Sequence, residues 1–274
     1  MTRRERLRRC YYNEELDRPG VYSRTGFPAD DPTYERLRSY LLAHTELKRG
    51  WSSSGLDSAD PTDSFTEPHS EDWCRRTTVL HTPAGDLTCS SLASLTGLPG
   101  LHQSFYVNCR GDAETFLSQP MPEIGGEVAS FFAARKEIGD AGIVDVGLGF
   151  NPAGYAAELC GSATFAVLSV TDRGIVHALC QRRMEVLLAR TRYLLEREVG
   201  PFFSMLGEEY VVPPLHGPED FYDFNVRYDK PVIDLIHESG GRSGGDRSGL
   251  LKEVGAYGHG MPRALSDGGG ARRL

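Results

Sequence analysis

The side chains of this sequence that could do chemistry lie where predicted strands end. Arg24 could hold a substrate carboxylate through two parallel hydrogen bonds, because a guanidinium matches a carboxylate in shape and charge. Glu209 could act as a general acid or anchor a polar substrate. A surface salt bridge for Arg24 and a solvated strand-end carboxylate for Glu209 are the plainer interpretations. The predicted substrate-binding residues are Tyr22, Arg24, Phe150, Asn151, Glu209 and Tyr210.

Other polar residues have structural interpretations. Tyr210 suits a core position as well as a site, and His237 is expected to interact with the dipole at the end of a helix. His81 lies in a predicted hairpin and is expected to be exposed, as are the acidic residues at 57, 60 and 63 in a polar loop. Residue types alone therefore identify no catalytic residue.

The cysteines predict neither disulfides nor a metal site. No two of them form a CxxC pair, and no histidine stands at ligand spacing from any of them. We interpret them as reduced thiols, several of them buried. They are Cys10, Cys74, Cys89, Cys109, Cys160 and Cys180.

The elements that must position these residues alternate between strands and helices. Predicted strands cover 20–24, 141–149, 202–206 and 209–214, with a hairpin at 77–91 and a polar loop at 50–71. One predicted helix follows Asp31-Pro32 and has Tyr34, Leu37 and Leu41 as its apolar stripe. The other predicted helices cover 3–13, 111–117, 123–140, 171–198, a segment from 217, and 229–241. This alternation indicates an α/β fold with a parallel sheet. The absence of GxGxxG, Walker and G-x-S-x-G motifs favours a (β/α)₈ barrel, in which catalytic groups lie at the carboxyl ends of the strands.

The composition limits which classes of partner the chain can bind. The chain has 274 residues and a formal net charge of −8, which argues against nucleic acid. The arginine-rich start, MTRRERLRR, is interpreted as a solvated helix because no apolar segment of a targeting peptide follows it. No uninterrupted apolar run approaches the ~18 residues of a membrane span. We therefore expect a cytoplasmic protein that binds neither nucleic acid nor membrane.

The character of the sequence changes after Gly241. Residues 242–274 are rich in glycine and arginine and have no lasting apolar period. Such a segment buries too little surface to offset its ordering entropy, so we predict a disordered tail. A frameshifted reading of a longer gene is the alternative hypothesis. The predicted division is a domain over 1–241 and a tail over 242–274.

Three stretches resemble the uroporphyrinogen decarboxylase superfamily. They are TRRERLRRCYYNEELDRPGVYSR at the start, KEIGDAGIVDVGLGFNPAGYAAELCGSATFAVLSVTD at 136–172, and GEEYVVPPLHGPEDFYDFNVRYDKPVIDLIHESGG at 207–241. The resemblance covers nearly all of residues 2–241. It implies a (β/α)₈ barrel, here truncated at its C-terminus, with the pocket at the carboxyl ends of the strands.

The resemblance implies one of two chemistries. Decarboxylases of the superfamily remove acetate carboxyl groups from uroporphyrinogen without a cofactor, and its methyltransferases move a cobalamin-linked methyl group with the help of zinc. Arg24 matches the first arginine of the decarboxylases' Arg-Gln-Ala-Gly-Arg stretch, whereas the second arginine and the aspartate of their Ser-Asp-Ile stretch have no counterpart. The HTPAGDL hairpin resembles the methyltransferase-like members, but their zinc-binding His-x-Cys does not follow Gly241.

The resemblance therefore predicts a tetrapyrrole- or corrinoid-related lyase or methyltransferase. Its substrate would be a small tetrapyrrole or methyl-group compound, with a corrinoid protein as a partner. This chain as it stands is expected to hold no cofactor, while zinc and a corrinoid belong to an intact homologue. The alternatives are an inactive, truncated remnant and a protein that binds a tetrapyrrole without chemistry.

Overall fold

The computed structural model describes residues 1–24 and 31–243, and its helices are labelled in chain order. The α-helices are α1 (Arg3–Tyr12), α2 (Glu35–His44), α3 (Arg110–Leu117), α4 (Ala129–Ile138), α5 (Pro152–Thr171), α6 (Arg173–Glu196), α7 (Pro218–Phe221) and α8 (Arg227–Glu238). A π-helical turn, Tyr222–Val226, joins α7 to α8. Most predicted helices are confirmed, and the predicted start at Asp31 is confirmed by its carboxylate, which accepts a hydrogen bond from Thr33 N at 2.9 Å.

The strands form two sheets. They are β1 (Tyr22–Arg24), β2 (Glu46–Ser52), β3 (Thr62–Pro68), β4 (Trp73–Thr82), β5 (Gly85–Ser94), β6 (Leu101–Ser104), β7 (Gly142–Phe150), β8 (Phe202–Leu206) and β9 (Arg242–Ser243). The first sheet has the order β1-β2-β7-β8-β9, and the second has the order β3-β4-β5-β6.

Every pairing in the first sheet is parallel, which confirms the predicted α/β fold. Helices connect the strands, and α1 and α4 pack against β7. Within residues 1–24 and 31–243 the sheet is open, with β1 at one edge and β9 at the other, and it does not close into a barrel.

The second sheet is antiparallel and includes the hairpin predicted at 77–91, which extends from Trp73 to Ser94. The prediction of a loop over 50–71 is wrong, because this segment contains the end of β2 and all of β3. Every residue of β3 is exposed. It is a polar edge strand with a proline at its end, so it lacks the apolar alternation by which strands are recognised.

The core lies on both faces of the parallel sheet. In β7, Val144, Val146 and Leu148 are buried with almost no exposure, as expected for a central parallel strand. Leu187 and Leu194, seven residues apart on one face of α6, are fully buried.

Three further predictions are corrected. The stripe on α2 is not buried, since Tyr34 and Leu37 are 38% and 45% exposed. Helix α4 begins at Ala129 rather than 123, because Gly125 and Gly126 disfavour helix in between. The strand predicted at 209–214 is wrong: Glu208–Tyr210 form a 3₁₀ turn, and Pro213-Pro214 offer no donors for strand pairing.

One helix among the described residues, α5, is long and apolar enough to cross a membrane by length and composition alone. A core helix of a soluble protein passes the same test, and 56% of its apolar window is buried inside the protein. The first two residues of the predicted disordered tail, Arg242 and Ser243, instead form β9, and the remainder, 244–274, lies outside the described residues.

Candidate functional site

The candidate site is the edge of the parallel sheet where β7 and β8 end, called here the carboxyl edge. Asn151 follows the last residue of β7 and caps α5: its Oδ1 accepts a hydrogen bond from Gly154 N at 2.8 Å. Its backbone N donates to Leu206 O, the last residue of β8, at 2.7 Å. The sequence Phe-Asn-Pro produces this geometry, because a side-chain cap followed by proline at the first helical position begins a helix.

A buried polar cluster lies beneath the carboxyl edge. Asn151 Nδ2 donates to Asp229 Oδ2 at 3.0 Å and to Asn225 Oδ1 at 3.1 Å. Burial raises the pKa of the Asp229 carboxyl to about 8, although the hydrogen bond from Asn151 opposes the shift. Asp229 Oδ1 is buried and has no hydrogen-bond partner in the described part of the chain. At neutral pH this carboxyl is therefore mostly protonated, with an oxygen available to donate a hydrogen bond.

Two glycines let α5 approach the turn after β8. A Cβ atom on Gly154 would stand 2.6 Å from Gly207 Cα. Gly207 also has a φ of 112°, which L side chains rarely adopt. This close contact fixes the 3₁₀ turn at Glu208–Tyr210 over the carboxyl edge.

Two predicted aromatic residues meet at this edge. The rings of Phe150 and Tyr210 have centroids 6.4 Å apart and a tilt of 58° between their planes. Both side chains are half-buried, whereas Glu209 between the strand end and Tyr210 is exposed. The structure therefore brings Phe150, Asn151, Glu209 and Tyr210 together.

Tyr22 and Arg24 lie elsewhere in the sheet. The register pairs Arg24 with Lys48, and Lys48 with Ile143, seven residues before Phe150. At about 3.3 Å per residue, Arg24 is roughly 23 Å from Phe150 along the strand direction. Tyr22 begins β1, is 47% exposed, and has Lys48 Nζ 5.4 Å from its ring centroid. The structure does not bring these two residues to the carboxyl edge.

Two buried arginines of α6, which the sequence analysis did not single out, support the carboxyl edge. Arg183 Nε donates to Phe150 O at 3.1 Å, and Arg190 Nη1 donates to Leu148 O at 2.8 Å. Arg190 also forms an ion pair with Asp57. Burial, reinforced by the charge of Arg190, lowers the pKa of Arg183 to about 10. Both guanidiniums bind the end of β7 rather than facing a ligand.

Asp229 and Asn225 were also missed. A signal was present, because Asp229 precedes Val232, Ile233 and Ile236 at the three, four and seven spacing of one helix face. A carboxyl on an apolar helix face is either paired or held neutral, and here burial keeps it neutral.

The described residues do not suit a zinc ion. They contain no group of three or more His, Cys, Asp or Glu side chains that could hold a metal. Cys160 and Cys180 are buried, and burial raises the pKa of Cys160 to about 12, far from the thiolate form that binds zinc.

Comparison with known proteins gives no relative for this chain: no protein-family model, no curated protein and no solved structure matches it.

Proposed function

We propose that this chain is a member of the uroporphyrinogen decarboxylase superfamily and binds a tetrapyrrole at its carboxyl edge. In this proposal the open parallel sheet corresponds to part of a (β/α)₈ barrel. The resemblance of residues 2–241 supports the assignment. One structural observation carries it: Phe150 and Tyr210 form an aromatic pair beside the buried Asn151–Asp229 hydrogen bond, where parallel strands end.

The residues at this edge suit a large, flat, partly apolar ligand. The half-buried rings of Phe150 and Tyr210 would pack against the macrocycle, because aromatic pairs prefer offset or tilted stacking. Asp229, buried beneath the edge and mostly neutral at pH 7, would support the site without bringing a negative charge near an anionic substrate. Glu209, exposed at the rim, would contact a polar substituent of the ligand.

By resemblance, the reaction is decarboxylation or corrinoid-linked methyl transfer. The methyltransferase branch needs zinc to activate a substrate thiol, and the ligands for zinc do not fit among the described residues. We therefore propose no methyl-transfer step that depends on zinc bound by the described residues of this chain. A corrinoid protein as partner follows from the same resemblance, and a cytoplasmic location is proposed from the composition of the sequence.

A second candidate is tetrapyrrole binding without turnover, as in an inactive remnant. It is favoured because Asn151, the best placed polar side chain of the edge, is fully buried and already bonded to Gly154, Asn225 and Asp229. Such a residue can hold a site together but has no free group for a reacting atom.

Titration of the full chain with uroporphyrin III and, separately, with hydroxocobalamin tests the proposal. We expect uroporphyrin III to bind and to raise the melting temperature, because a ligand that binds only the folded state stabilises it. Incubation with uroporphyrinogen III, followed by chromatography of the products, then separates the two candidates: fewer carboxyl groups mean a lyase, and unchanged substrate means binding alone. If neither uroporphyrin III nor hydroxocobalamin binds, the proposal is contradicted.

A further inference from the structure

A second cavity, of about 280 Å³, lies between three loops away from the aromatic pair of the carboxyl edge. The loops are 58–61, which follows β2, 81–83 at the tip of the β4–β5 hairpin, and 119–122 after α3. Its walls are largely apolar, since Pro61, Pro83, Pro120, Met121 and Pro122 line it. This volume is just below that of pockets for drug-sized ligands, so the cavity suits a small molecule.

The wall at 119–122 is held in place by α6. Arg182 Nη1 donates to Gln119 O at 2.8 Å, and Arg182 Nη2 donates to Pro120 O at 2.7 Å. On the opposite side, Ser58 N donates to Glu123 O at 2.8 Å. The cavity is therefore built from loops that are bonded to each other and to a core helix.

Gln119 supplies an unused polar group. The residue is only 6% exposed and lines the cavity. None of the hydrogen bonds of the described chain involves its side-chain amide, although Arg182 engages its backbone oxygen. Its amide atoms are not among the fully buried polar atoms that lack a partner in the described chain, so this side chain reaches the space of the cavity and can bind a ligand or water there.

The charges at the cavity are mainly negative. His81 Nδ1 lies 2.8 Å from Asp86 Oδ1, and His81 Nε2 lies 3.0 Å from Asp63 Oδ2. These two carboxylates raise the pKa of His81 and leave neither ring nitrogen for a ligand. Asp60 is also at the cavity and forms no ion pair with any described residue, while Arg182 donates to backbone oxygens instead.

We propose that this cavity binds a small organic cation, an amidinium or ammonium group on an apolar body. The N–H groups of the cation would donate to the carboxylate of Asp60 and to the amide oxygen of Gln119. The apolar body would pack against the prolines and Met121. An anion is disfavoured because the carboxylate of Asp60 lines the cavity and those of Asp63 and Asp86 flank His81, although the charge of Arg182 partly offsets that of Asp60.

This site is independent of the proposed tetrapyrrole site, since none of its lining residues belongs to the aromatic pair or to the buried polar cluster. Failure of one proposal therefore does not imply failure of the other.

Calorimetric titration of the full chain with benzamidine and with benzamide tests the inference. The two probes have nearly the same shape, but only benzamidine is a cation. We expect benzamidine to bind about tenfold more tightly or better, because hydrogen bonds to a charged partner are the stronger ones. Asp60→Asn and Gln119→Met should each weaken benzamidine binding, whereas Asp140→Asn, an identical charge change at an exposed residue outside the cavity, should leave it unchanged.

Melting curves of all three variants establish that they are folded. Equal binding of benzamidine and benzamide, no binding of either, or equal effects of Asp60→Asn and Asp140→Asn would overturn the inference. Loss of benzamidine binding in Asp60→Asn and Gln119→Met alone would support it.

Discussion

The side-chain amide of Asn151 donates to Asp229 Oδ2 over 3.0 Å, and this bond joins the end of β7 to the first turn of α8. Because the same Asn151 caps α5, one side chain connects a strand end and two helices. The carboxyl edge is therefore arranged around a buried amide and a carboxyl that is mostly neutral at pH 7.

The first prediction concerns the pH dependence of stability. The pKa of Asp229 is about 8 in the folded chain and near the ordinary 3.8 when unfolded, so the folded state binds the proton more tightly. Stability should then fall as pH rises from about 4 to about 8, and level off above. Asp229→Asn should melt at least about 5 °C higher than the unchanged chain at pH 9, and the gap should narrow toward pH 4.

Asp234→Asn, on the same helix but half-exposed and paired with Lys230, is the matched control and should not reproduce this trend. If the difference in melting temperature between Asp229→Asn and the unchanged chain does not vary with pH, the Asp229 carboxyl is not held neutral.

The second prediction concerns the contact between α5 and the turn after β8. Gly207→Ala should lower the free energy of unfolding by at least about 2 kcal/mol, because the new methyl group meets Gly154 Cα at 2.8 Å and φ is 112°. Gly125→Ala, with no atom within 4 Å of the added methyl group and no positive φ, should change it by no more than about 0.5 kcal/mol. Urea unfolding of both variants measures the difference, and similar values for the two would refute the close packing.

The third prediction concerns the buried ion pair beside the sheet. Arg190→Met should cost about 3–5 kcal/mol of unfolding free energy, because it leaves Asp57 without its partner and removes the shorter of the two hydrogen bonds to Leu148 O. Arg192→Met, an exposed arginine of the same helix, should be nearly neutral. A small cost at position 190 would mean that Asp57 is well solvated without its partner.

The sequence predicted those helices and strands whose conformation is determined by residues close together in the chain. Strand β7 was predicted from its apolar run, whereas helix α5 was not predicted, although Asn151 followed by Pro152 is a helix-start signal. Strand β2 was missed because its residues are stabilised by distant partners. Glu46, with no exposed surface, accepts hydrogen bonds from Arg6 and Arg18, so a charged residue there marks a buried ion-pair network rather than a loop.

The candidate site was predictable only in part for the same reason. Phe150 could be placed at the end of a strand, but Tyr210 was assigned to a strand that does not form, and the pairing register that leaves Arg24 level with Ile143 depends on β2. The helix-face spacing marked Asp229 as a buried carboxyl, but its partner Asn151 and the surroundings of the Gln119 side chain come from segments far away in the sequence, which no local pattern reveals.

The most direct test of the account is the affinity of the full chain for uroporphyrin III before and after Phe150→Ala, with Phe132→Ala as control. Phe132 is also partly exposed, but it lies on α4 and not at the carboxyl edge. The account predicts that Phe150→Ala weakens binding about tenfold, since loss of an aromatic contact costs on the order of 1.4 kcal/mol, and that Phe132→Ala has no effect. Unchanged affinity in Phe150→Ala, or an equal loss in both variants, would contradict tetrapyrrole binding at this edge.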